Sequence, residues 1–280
     1  MSKVFEEERI FTWGLEGQLI GILTSPTSTI PQSETPVVIL LNAGLLHRVG
    51  PFRLYVNLSR ALAAQGVTTL RLDLSGVGDS PIRHTPINET ERAVTDVQEA
   101  MTALTESIGA TTFILGGICW GADISWETAR VDNRVKGIAL LDGFAYRTMR
   151  YHLVSYAKKF HPDTLLKKLK RWIALSRRLE QVPQAAEAFP RDFLPHRVLV
   201  KEVQRLCDRG VRFFFIFSGG VADYYNHRAQ IEANLASVKR EVDQVKGEYL
   251  ASADHTYSMA TDRRALISLI SGWISAFPRK

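Results

Sequence analysis

Short apolar runs bounded by Gly, Pro, Asn or Asp alternate along this chain with longer segments in which apolar residues recur at helical spacing. Ile10 to Trp13 and Gln18 to Thr24 predict an opening hairpin, and the polar stretch Ser25 to Pro36 a surface loop. Val37 to Leu41 is a continuous apolar run, the signature of a strand covered on both faces, and it stops at Asn42-Ala43-Gly44. A helix from Phe52 to Ala64 is ended by Gln65-Gly66, a strand follows from Val67 to Leu74, and Asp73 to Ser80 is turn chemistry. Asn88 caps a helix reaching Ile108. Thr111 to Leu115 reads as a strand running into Gly116-Gly117-Ile118-Cys119-Trp120-Gly121-Ala122 and a helix to Arg130. Further strands are expected at Val135–Leu141, Val211–Phe217 and Glu248–Ala251, with a closing helix from Asp262 to Ala276. This alternation predicts an α/β protein with a mostly parallel central sheet flanked by helices.

The alternation lapses between Ala145 and Arg205, where the pattern is helical, basic and punctuated by Pro162, Pro183, Pro190 and Pro195. We read this stretch as a helical lid inserted before the last two strands. The core is then 1–145 and 206–280, with the basic helical insertion at 146–205. Within the lid, a helix over Thr164–Gln181 gathers Leu165, Leu169, Trp172 and Ile173 on one face, suited to covering an apolar substrate, with lysines and arginines over the rest.

Charge sharpens that division. The formal net charge is +6 over 280 residues, which invites a nucleic-acid reading until the charge is located. Arg147 to Arg212 holds 16 Lys and Arg against 6 Asp and Glu, so the remainder is mildly acidic. With the basic residues on a lid and no nucleic-acid motif beside them, a nucleic-acid partner is not expected. A membrane-surface role is disfavoured too, and no apolar run approaches the length of a spanning helix. The two cysteines, Cys119 and Cys207, make neither a disulfide framework nor a zinc site. The first residues lack the basic and apolar regions of a signal peptide, and a cytoplasmic location is expected.

Gly117-Ile118-Cys119-Trp120-Gly121 places a nucleophilic side chain between a buried strand and a helix, framed by glycines. Such a turn forces its central residue into a strained backbone conformation that small neighbours permit, and the following helix N-terminus favours the thiolate. The chain here resembles the α/β-hydrolase superfamily, with cysteine in place of the usual serine. Asn42-Ala43-Gly44-Leu45 sits where that family has its His-Gly oxyanion loop, and Asp73 to Ser80 resembles its D-x-x-G-x-G-x-S turn. The resemblance implies an α/β-hydrolase fold with oxyanion donors on the backbone N–H groups of Trp120 and Leu45, or of Gly44 in place of Leu45. It also implies the order nucleophile, acid, histidine. His255, after Glu248–Ala251, becomes the base, and Asp223, after Val211–Phe217, the orienting acid. Asp142, at the end of Val135–Leu141, and Asp254, the sequence neighbour of His255, are the alternative acids, while Asp73 and Asp79 read as turn-forming residues.

A cysteine nucleophile implies an acyl-thioester intermediate. Its formation is nearly balanced when the donor is itself a thioester, so the expected activity is acyl-group hydrolysis of the thioesterase or esterase type. The expected substrate is a small acyl molecule, an acyl-CoA or an acyl carrier protein, drawn to the basic lid. The resemblance also embraces acyltransferases or cyclases passing the acyl group to an amine or hydroxyl, and non-catalytic binding proteins of the same fold. Neither cofactor nor metal is expected.

Overall fold

The computed structural model describes residues 6–14, 18–27, 35–84, 86–160, 195–241 and 243–277. In chain order its elements are β1 (Glu6–Trp13), β2 (Leu19–Pro26), β3 (Val37–Leu41), α1 (Leu54–Ala63), β4 (Thr69–Leu72), α2 (Glu89–Ile108), β5 (Phe113–Ile118), α3 (Trp120–Val131) and β6 (Val135–Leu141). After these come α4 (Met149–Phe160), α5 (His196–Asp208), β7 (Arg212–Ser218), α6 (Gln230–Asn234), β8 (Val245–Leu250) and α7 (Ala260–Ser275). The strands form one sheet in the order β1-β2-β4-β3-β5-β6-β7-β8. β1 and β2 pair antiparallel, as does β2 with β4, and every other pair is parallel. This is an α/β-hydrolase fold.

The sheet is covered on both faces, which is why its central strands carry no polar alternation. Phe213, Phe215 and Phe217 of β7 join Trp126 of α3, Val97 of α2 and Val203 of α5 in one core layer. Phe214 and Ile216 face the other way, onto Leu58 and Leu62 of α1 and Ile270 and Trp273 of α7. The expected cap on α2 is present, the Asn88 side chain accepting from Glu91 N–H at 2.9 Å, and Gly109 (φ 72°) closes the helix.

Of the boundaries that differ from expectation, two have a plain physical cause. The glycines of Gly116-Gly117 belong to β5 rather than to a turn, because strand pairing with β6 continues through them to Ile118. β8 begins at Val245 rather than Glu248; as an edge strand it is only half buried, so its polar positions mask its start. Leu165, Leu169, Trp172 and Ile173 lie outside the described residues. α4 and α5, on either side of that stretch, are helices. Among the described residues no helix is long and apolar enough to cross a membrane.

Candidate active site

Parallel strands all end on one edge of a sheet, and β3, β5, β6, β7 and β8 deliver their C-terminal residues to the same place. Cys119 is the residue between β5 and α3, with φ 57° and ψ −116°. Its N–H donates to Leu141 O at 2.9 Å, and its carbonyl accepts from Ala122 and Asp123 N–H in the first turn of α3. The left-handed conformation costs about 1–3 kcal/mol at a non-glycine residue. The two glycines are what the surrounding space demands. A Cβ on Gly117 would lie 2.8 Å from Gly121 Cα, and one on Gly121 would lie 2.7 Å from Asn42 O. Strand, helix and the loop after β3 can therefore close on the elbow only if both positions lack side chains. Beneath it, fully buried Tyr55 accepts the Ile118 N–H at 3.1 Å, and burial pushes its phenol up, so it remains neutral.

His255 follows β8, as expected, and its imidazole is hydrogen-bonded to the Cys119 sulfur. The acid is a correction. His255 Nδ1 lies 2.9 Å from Oδ2 of Asp142, the residue after β6, not from Asp223. Asp142 is fully buried, holds φ 50°, and donates its N–H to Ile216 O at 2.8 Å. Its Oδ1 accepts Ser218 N–H at 2.6 Å, its Oδ2 the Ser218 hydroxyl at 2.7 Å. Asp223 is exposed beyond a 3-10 turn at Gly219–Val221, with its backbone carbonyl taking Arg147 Nε–H at 2.9 Å and the Tyr151 hydroxyl at 2.6 Å.

The physical reason lies at the end of β7. Gly219 and Gly220 let the histidine loop press directly against it: a Cβ on Gly220 would fall 2.4 Å from His255 N, and one on Gly219 2.3 Å from Ala251 O. The chain reaches Asp223 only after leaving that contact. Asp254 is spent on its own turn, accepting from Thr256 N–H at 2.8 Å and Thr256 Oγ1 at 2.7 Å. Ser258 and Thr256 together hold its carboxyl down at about 2.

The hydrogen bond to Asp142, and after it the one to Cys119, raise His255 from 6.5 to about 9 against the opposing effect of burial. The imidazole is thus a cation at neutral pH, and a cation on the sulfur favours thiolate. Cys207 is the opposite case: buried in the last turn of α5 and pushed up to about 11 by burial, its thiol stays protonated.

Of the two expected oxyanion donors, Trp120 opens α3 directly after Cys119. Leu45 sits in a turn closed by Leu46 N–H to Ala43 O at 3.2 Å, with Gly44 at φ 58°. Neither Leu45 N–H nor Gly44 N–H makes a hydrogen bond among the described residues. His47, Asp73 and Asp79 converge in a manner that would suit a cation. The Arg48 guanidinium bridges both carboxylates, 2.7 Å from Asp79 Oδ2, and already supplies the positive charge.

Sheet order, elbow and histidine loop together define an α/β-hydrolase-type protein. A family model described as alpha/beta hydrolase fold matches residues 36–205, and the chain belongs to that family. Among solved structures it is similar to dienelactone hydrolase from Anabaena variabilis, at 15% identity over 98% of this chain and 99% of that one, with a TM-score of 0.59. It is similar also to an alpha-beta serine hydrolase homologue from Coxiella burnetii, at 14% identity over 95% and 96%, TM-score 0.55. A third is carboxyl esterase 2 from the mycorrhizal fungus Tuber melanosporum, at 14% identity over 99% and 87%, TM-score 0.56. Comparison with curated protein sequences gives no match.

Proposed function

We propose that this protein is an acyl hydrolase that works through an acyl-thioester on Cys119, with His255 as the proton carrier and Asp142 as the carboxylate that orients it. The observation carrying the reading is the continuous relay from the Cys119 sulfur through His255 to buried Asp142. Sγ attacks the substrate carbonyl, and the oxygen takes the negative charge between the N–H groups of Leu45 and Trp120, each contributing on the order of 3 kcal/mol to the transition state. As the tetrahedral species collapses, the bond to the leaving thiol or alcohol breaks and the His255 imidazolium supplies its proton. The neutral imidazole then takes a proton from water, the resulting hydroxide attacks the thioester, and the carboxylic acid leaves as thiolate and imidazolium are restored.

Thioester donors are the favoured substrates, because exchanging one thioester for another on Cys119 is close to thermoneutral. An acyl-CoA or an acyl carrier protein fits the basic segment after β6. The test is intact-mass detection of an acyl adduct when the protein meets an acyl N-acetylcysteamine thioester. An adduct is expected in the wild type and none in Cys119→Ala; its absence from both overturns the proposal. Adding an amine or alcohol acceptor should leave the rate of carboxylate release unchanged. A new amide or ester formed at the expense of carboxylate would replace hydrolysis by acyl transfer.

A further inference from the structure

The turn carrying Leu45 is anchored by side chains that never reach the reacting atoms. Leu45 is 64% exposed and Leu46 46%, so burial does not fix them. Fully buried Asn42, at the end of β3, does three things with one amide. Its Oδ1 accepts Leu74 N–H at 2.9 Å, while Nδ2 donates to Leu46 O at 2.9 Å and to Asp73 Oδ1 at 3.0 Å. Asp73 is fully buried as well. Its Oδ1 also accepts Arg48 N–H at 2.7 Å, and its Oδ2 accepts Asp79 N–H at 3.1 Å together with the Arg48 guanidinium. A Cβ on Gly78 (φ 57°) would lie 2.2 Å from Asp73 Oδ2, so glycine alone lets the chain wrap this carboxylate. The backbone on either side of His47 is thereby pinned at Leu46 O and Arg48 N–H, immediately after the Ala43–Leu46 turn.

We propose that Asn42 and Asp73 are positioning residues that aim the Leu45 N–H at the oxyanion of the acyl transfer. The assignment rests on the acyl-enzyme reading above. It gives chemical work to Asn42, which opens the stretch placed like the family's oxyanion loop, and to Asp73, which reads in the sequence as a turn former. An oxyanion donor is effective because it is already pointed where charge will develop. A turn this exposed would otherwise move on the nanosecond timescale of surface loops.

Two reactions at the same sulfur separate this role from a merely structural one. Alkylation by iodoacetamide displaces iodide from a saturated carbon, needs the thiolate, and forms no oxyanion; acylation by a short-chain thioester needs both. Single-turnover rates of each, resolved at Cys119 by peptide mass, would be compared in wild type, Asn42→Ala, Asn42→Ser and Asp73→Asn, with thermal unfolding showing which variants are folded. Acylation should slow by about 10²-fold, as kcat rather than KM, while alkylation stays within about twofold. Equal slowing of both reactions, or of neither, in the folded variants overturns the assignment alone. A wild-type protein that alkylates but never acylates overturns the proposed function, and this assignment with it.

Discussion

At Asp142 the hydrogen bonds from His255 and Ser218 all converge on one buried side chain, whereas Asp223 is exposed and its backbone carbonyl is taken by Arg147 and Tyr151. Asp142→Asn should therefore lower kcat/KM by about 10² to 10⁴-fold, and Asp223→Asn should change it by no more than about twofold. Steady-state kinetics on the two variants decides between them; the reverse ranking would restore Asp223. The raised His255 value fixes a second expectation and its sign. The folded protein holds the imidazolium up to about pH 9 where an unfolded chain releases it near 6.5. Its stabilising contribution is thus complete below about 6.5 and is lost as pH rises through 9. A thiolate–imidazolium pair should lose kcat/KM above pH 9, because the leaving group then finds no acid. In Cys119→Ser the nucleophile needs a neutral imidazole, so its activity should rise with pH through the titration of His255. Parallel pH profiles for cysteine and serine forms would contradict the ion pair.

At the scale of elements, the elbow was legible because its requirement is local: two glycines, a buried strand and a helix start within a few residues all concern one turn. The acid was not, because β6 and β7 lie side by side in register, Leu141 beside Ile216, and parallel neighbours end about one strand spacing apart. Either end can serve a histidine arriving from β8. Alternation and turn residues describe each strand separately and do not say which of two adjacent ends carries the charge. The available signal was Ser218-Gly219-Gly220, a hydroxyl and two absent side chains, which suits a strand end that supports a neighbour's carboxylate and admits another loop. Gly220→Ala tests this directly. The added methyl must displace the His255 backbone, so activity should fall by about 10²-fold while stability drops by about 1–3 kcal/mol. Urea unfolding alongside kinetics separates the two losses, and wild-type turnover in a folded Gly220→Ala protein would show that the close approach positions nothing.

For the whole molecule the distribution of charge matters more than its sum. The chain passes from the β6 end that carries Asp142 through a short loop, on which Arg147 stands exposed, into α4, where Arg150 is exposed, and Arg197 and Lys201 are exposed cations on α5. Among the described residues neither Arg150, Arg197 nor Lys201 has an acidic partner, unlike Arg205, which is paired with Glu202 at 2.8 Å. Unpaired surface cations attract an acidic partner over roughly the Debye length, about 10 Å at 0.1 M salt, and that attraction acts on encounter rather than on chemistry. If the acyl group arrives on an acidic carrier protein, kcat/KM for that substrate should fall about tenfold or more between low and high salt. The same acyl group on neutral N-acetylcysteamine should show almost no salt dependence. Charge reversal at Arg150, Arg197 and Lys201 together should reproduce the loss at low salt for the carrier substrate alone, leaving acylation by the small thioester intact. Equal salt responses for the two substrates would make the basic segment an ordinary solvated surface, and recognition would then fall to the apolar acyl chain.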